Sequence, residues 1–343
     1  MRHGQLASAF VLAVSLPTLL AAGQAVPQRA VTSPVQKWTL TRTPEGHPDL
    51  QGIWDFRTVT PLERPAEFAG KAVLPEQEAA EYERRTVAAR EADANRDKAG
   101  SGAVTNGTSI TADLALAYND FWYDRGTRVI GTRRTSLIVD PPDGRIPPIT
   151  EAAKKRYAAI DQARERPALG PEDRSVGERC ILGFNSGPPM IPGGYNMYVQ
   201  IVQSPGYVVI MNEMVHSARI VPLDGRPHGT VRSLVGTSRG RWEGDTLVVQ
   251  TRNFLNETSL RGSSPTLQLT ERFTRADAQT LLYEFTVNDP TTWTRPWTAQ
   301  VPMRRTDEQI FEYACHEANY GMSNLLKGAR FGEAQAAGAT RPK

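Results

Sequence analysis

Histidine and cysteine are scarce in this chain, five and two among 343 residues. None of the His-x-His, Cys-x-x-Cys or His-Glu-x-x-His spacings that gather ligands around a metal occurs, so neither a metal centre nor a cofactor is expected. A surplus of one charge is missing too. The 40 basic residues face 37 acidic ones, and the two signs interleave, as at Glu81, Glu83, Arg84 and Arg85. Phosphate-rich partners demand a concentrated basic face, so nucleic acid and anionic membranes are not expected partners. Phosphate-cradling glycine loops are absent as well. The cluster from Gly187 to Gly194 holds Pro188, Pro189 and Pro192, and proline removes the backbone donors that such a cradle uses. Beyond residue 25 no apolar run is long enough to suggest a membrane span.

What is present begins at the N-terminus. Arg2 and His3 precede an apolar run from Leu6 to Leu20, and the small residues Ala21, Ala22, Gly23 and Ala25 follow. That is the pattern of a secretory signal. Residues 1–25 are therefore read as a cleaved leader, and the mature chain is expected in the periplasm or outside the cell. Loss of Arg2 takes the formal charge from +3 to +2. An oxidising compartment lets Cys180 and Cys315 pair. A bridge between them closes a loop of 135 residues, for which chain entropy gives about 5 kcal/mol. Free thiols are the alternative, with Cys315 beside His316 the more reactive of the two.

Three zones follow the leader. Residues 26–43 are polar and dotted with proline, a tether. Residues 44–330 form one β-rich domain carrying a helical and loop-rich insert at about 60–195, and residues 331–343 are read as a tail without structure. Within the insert, Pro75 to Lys98 predicts a helix with a Glu81–Arg85 pair at i,i+4, and Thr150 caps a second helix that turns Tyr157 and Ile160 inward. Gly100 to Thr111 reads as a loop, and residues 167–195 as an irregular crossing.

From Tyr195 onward apolar residues alternate and turn residues punctuate them. Strands are predicted at Met197–Val202, Tyr207–Asn212, His216–Leu223, Arg239–Trp242, Asp245–Gln250, Leu267–Phe273, Leu281–Val287, Trp297–Arg305 and Gln309–Cys315. An earlier one is predicted at Arg133–Asp140. Consecutive strands joined by short turns make an antiparallel meander, and closure into a barrel removes its exposed edges.

The Gly52-x-Trp54 pair on the first strand resembles the lipocalins and the wider calycin group, in which the Trp plugs one end of the barrel. Residues 44–330 also resemble a group of exported bacterial proteins of unassigned activity. That likeness is carried by Pro48 to Trp54, Gly240 to Asp245, Thr270 to Phe273, Asp289 to Trp297 and Tyr313 to Glu317. The resemblance implies export and a mainly β, lipocalin-like barrel, and implies nothing about chemistry.

Four histidines remain after the leader, and His47 and His228 fall in turns. His216 and His316 fall in predicted strands, where a carboxylate such as Glu317 could set an imidazole up as a general acid or base. Arg295 or Tyr313 could then steady a developing anion. Trp293 and Trp297, split by Arg295, could rim a pocket for a flat ligand, with Trp54, Trp122 and Tyr123 as further ring contacts. The first expectation is a module that binds a small apolar or aromatic molecule in the barrel mouth. The alternative is a lyase, isomerase or hydrolase acting on a small organic substrate through histidine.

Overall fold

The computed structural model describes residues 38–98, 123–256, 260, 262–317 and 319–339. The leader, nearly all of the tether, the loop at 100–111 and Trp122 lie outside the described residues. Ten strands build one antiparallel sheet: β1 (Gly52–Asp55), β2 (Ile138–Asp140), β3 (Tyr198–Ser204), β4 (Tyr207–Asn212), β5 (Ala218–Pro222), β6 (Thr237–Glu243), β7 (Thr246–Arg252), β8 (Gln268–Arg275), β9 (Thr280–Asn288) and β10 (Trp297–Thr306). Among the described residues three α-helices accompany them, α1 (Glu76–Lys98), α2 (Glu151–Glu165) and α3 (Tyr320–Ala339). None of these helices is long and apolar enough to cross a membrane.

Period-two alternation translates directly into burial. On β9 the side chains of Leu281, Tyr283, Phe285 and Val287 are buried, while Leu282, Glu284, Thr286 and Asn288 face outward. The β6–β7 hairpin turns at Gly244, whose φ of +58° lies in the left-handed region that glycine adopts without strain. On the far side of the insert, the Thr150 side chain accepts the Ala153 N–H at 3.1 Å and starts α2.

The strand order is β5-β4-β3-β1-β10-β9-β8-β7-β6, with β2 also paired to β10. The first strand therefore pairs with the last, Trp54 opposite Arg305 and Asp55 opposite Arg304, as an up-and-down barrel requires. The sheet nevertheless is not closed. Its two edges are β5 and β6, which are neighbours in the chain and share no ladder. They meet through side chains instead. A Cβ at Gly240 of β6 would lie 2.6 Å from Leu223 and 2.8 Å from Val221, so only glycine allows this approach.

Both ends of the sheet's interior are filled. At one, Trp54 is fully buried, its indole donates to the Leu50 carbonyl at 2.9 Å, and the Arg275 guanidinium lies 5.0 Å from its ring centre. Arg275 also donates to the Asp49 carbonyl, and His47 stacks on Trp242 at 4.9 Å, so the segment before β1 caps this end. At the other, the proline-rich crossing enters the interior. The Met190 side chain is fully buried and its N–H donates to the Tyr283 hydroxyl at 3.1 Å.

Five expectations need correction. Residues 309–315 are not a strand, because the chain leaves the sheet after Thr306 and crosses to the disulfide. The strand expected at 133–140 shrinks to Ile138–Asp140. Residues 331–339 belong to α3 and not to an unstructured tail. Ile160 is 42% exposed, whereas Tyr157 turns in and donates to the Gly262 carbonyl. The i,i+4 pair in α1 is also replaced: Arg85 pairs with Glu67, and Glu81 with Arg84.

Candidate functional site

Two clusters of polar side chains are built into the fold. The first is inside the sheet. Arg219 of β5 reaches across to Glu271 of β8 with two bonds, 2.7 and 2.8 Å, and the Tyr283 hydroxyl donates to the same carboxylate at 2.8 Å. All three side chains are buried. Burial pulls the Arg219 pKa down, and the facing Glu271 more than restores it, so the guanidinium stays charged. Burial and the Glu271 charge raise the Tyr283 pKa well above that of free tyrosine. The Arg219 Nε is left buried without a partner, and Phe273, Phe285 and Met190 lie against Tyr283. This network ties the edge strand to the opposite wall.

The second cluster lies where the disulfide joins the crossing to the segment after β10. Cys180 and Cys315 are bonded, with Cα atoms 5.5 Å apart. Tyr195 stands at its centre. Its hydroxyl is 3.2 Å from that of Tyr313, and its ring meets Phe184 at 5.4 Å and Tyr123 at 5.6 Å edge to face. The Asn185 amide holds this turn by donating to the carbonyls of Tyr195 and Asn196, and Asn212 donates to Ser186. The outer oxygens of both Asn185 and Asn212 are buried without a partner.

Glu213 closes the cluster from the end of β4. It is 4% exposed, and one carboxyl oxygen accepts the Phe311 N–H at 3.3 Å. Burial raises its pKa, outweighing that bond, a bond from Asn196 and the charge of Arg57. Arg57 lies over the Tyr198 ring at 5.0 Å and is gripped by Asp55 and Asp124. Burial likewise raises the Tyr198 pKa. The backbone is left-handed at Cys180, Asn196, Val215 and His216. For β-branched Val215 that conformation is costly and marks a tightly specified corner.

The residues singled out in the sequence scatter. Trp54, Trp293 and Trp297 are core residues, not a pocket rim; the last two meet edge to face at 5.8 Å. Arg295 does not stack between them and pairs with Asp140 at 2.8 Å. His216 lies in a single turn of 3-10 helix and His316 in a turn, not in strands, and both are exposed, as is Glu317. Tyr313 and Tyr123 do join the corner, together with the two cysteines. Missed were Glu213, Tyr195 and Arg57. The signal for Glu213 was available: Asn212-Glu213 interrupts an otherwise apolar run from Tyr207 to Val215. One motif also passes unused, since Gly236-Thr237-Ser238-Arg239-Gly240 has the spacing of a hydrolase nucleophile elbow. Ser238 sits inside β6, buried and 2.9 Å from the Thr251 hydroxyl, with no strand-to-helix turn to expose it. Comparison with protein-family models, curated proteins and solved structures finds no match.

Proposed function

We propose that this is an exported binding protein that holds a small aromatic molecule at the disulfide corner, against Tyr195, Tyr313 and Phe184. The observation that carries the reading is Glu213, a buried carboxyl with a raised pKa bonded by Asn196 and the Phe311 N–H, in the chain segments that also carry the clustered rings of Tyr195 and Tyr313, while large side chains fill the sheet's interior. Apolar walls with a few convergent polar groups are what small-molecule sites consist of. In its neutral form Glu213 can donate a hydrogen bond to a carbonyl or phenol oxygen. Export is supported by the leader-like N-terminus and by the disulfide, which oxidising compartments preserve. A lipocalin-like ancestry is supported by Gly52-x-Trp54 on β1 and by the pairing of first and last strands.

Native mass spectrometry of protein purified gently from its own host tests the proposal. A one-to-one small-molecule adduct, lost in Tyr195→Ala and kept in His316→Ala, supports it; an adduct insensitive to Tyr195→Ala, or none, counts against it.

The raised pKa of Glu213 favours a second reading, an acid–base lyase, isomerase or hydrolase at the same corner. In that case Glu213→Gln abolishes turnover of the bound molecule without releasing it. Dependence on His216 or His316 would instead return the chemistry to the histidines.

A further inference from the structure

The outer face of the sheet is uneven in charge. Across β8–β10 it presents Thr270, Glu284, Thr286 and Gln300 together with Arg272 and Arg304, both of which are ion-paired. On β6, β7 and the link between β5 and β6 it presents arginines. Asp224 pairs with Arg226, and Glu243 with Arg241 and Arg272. Arg232, Arg239 and Arg252 take part in no ion pair among the described residues.

These cations are held in place without being neutralised. Arg239 donates to the carbonyls of Pro227 and Ser238 at 3.1 and 2.7 Å, and Arg232 to that of Phe254 at 3.2 Å. The loop beneath them is fixed by Asn253, whose amide donates to the Gly229 carbonyl and the Thr237 hydroxyl. His228 stands near Arg239 and Arg252 with its Nε2 buried and unpartnered. Burial lowers its pKa, and the charges of Arg239 and Arg252 lower it further. Arg232 also lines a hollow of about 270 Å³ together with Leu234, Leu255 and Asn256. Leu255 is 41% exposed, and Val231 beside Arg232 is 73% exposed.

We propose that this hollow is a second binding site, for a diffusible amphiphilic anion whose phosphate or carboxylate head meets Arg232 and the Asn256 amide and whose short apolar body lies between Leu234 and Leu255. Guanidinium forks match both head groups in geometry and charge. Uncompensated arginine beside exposed leucine suits neither a bare ion nor a neutral apolar compound. The inference does not rest on the disulfide corner, which other elements form.

Calorimetric titration of the full chain with n-hexyl phosphate tests it, with inorganic phosphate and hexanol as separate titrants. Saturable one-site binding is expected for hexyl phosphate and much weaker binding for each control. R232Q should weaken it by about tenfold, as loss of a charge-assisted bond implies, and L255D should weaken it too, with thermal midpoints unchanged, whereas R239Q, outside the lining, should leave it unaltered. Absence of saturation, or undiminished affinity in R232Q, overturns the proposal. So does sedimentation with phosphatidylglycerol vesicles when free hexyl phosphate does not bind, because the surface then serves a membrane.

Discussion

Two buried carboxylates in this protein respond to burial in opposite ways, and the difference is the number of donors each one meets. Asp289 accepts five bonds, from the Ser264 N–H and the hydroxyls of Ser264, Thr266, Thr291 and Thr292. Burial pushes its pKa up, but these donors together hold it below the ordinary 3.8. Glu213 meets fewer donors, so burial wins and its pKa rises above 4.5. The linkage signs are therefore opposite. Asp289 contributes stability that is complete above its unfolded pKa and is lost as pH falls through the folded value. Glu213 contributes stability that is complete below its unfolded pKa and is lost as pH rises through the folded one. Urea midpoints measured from about pH 3 to pH 8 should show the acid-side decline flattened in Asp289→Asn and the decline above pH 4.5 flattened in Glu213→Gln. An unchanged pH profile in Glu213→Gln would mean that its carboxyl is not desolvated. The Arg219–Glu271 pair belongs to this scale too. Glu271→Ala strands a buried guanidinium and should cost about 3–5 kcal/mol, whereas Arg219→Met with Glu271→Leu should recover most of that. Guanidinium denaturation of the two variants beside the unaltered protein distinguishes the cases.

Among the elements, those that follow local chemistry were readable in advance and those that depend on distant partners were not. β9 announces itself through four apolar residues at period two, and α2 through Thr150 at its cap. β5 misleads. Alternation by hydropathy puts Ile220 inside and Arg219 outside, yet Ile220 is 65% exposed and Arg219 is buried. The partner that makes this possible, Glu271, lies 52 residues away. Residues 309–315 mislead similarly, because the bridge to Cys180 draws them off the sheet before they can pair. The candidate site was half legible for the same reason: Tyr313, Tyr123 and the cysteines stood out by type, whereas Glu213 becomes informative only once the crossing buries it. The seam between β5 and β6 offers a test of how these edges are held. Gly240→Val places methyl groups against Val221 and Leu223 and should cost about 1–3 kcal/mol through overpacking. Faster amide exchange confined to β5 and β6 is the expected signature, and an unaltered exchange map would show that the edges do not press on each other.

At the scale of the molecule, one sheet wraps around an interior already occupied by its own rings, an ion pair and Met190, and the disulfide pins the crossing that fills the far end. Cutting that pin in Cys180→Ser/Cys315→Ser should lower stability by up to about 5 kcal/mol, with the loss visible as a lower denaturant midpoint and as faster exchange at Met190. The central claim is that ligands are bound outside this filled interior. It is tested most directly by an amide-resolved NMR titration with the small molecule that copurifies, or with a panel of aromatic carbonyl compounds. Shifts concentrated at Tyr195, Glu213 and Tyr313, with Met190 and Tyr283 unmoved, are the predicted result. Saturating shifts at Met190, Tyr283 and Trp54, with the corner silent, would place the ligand within the sheet and contradict the account.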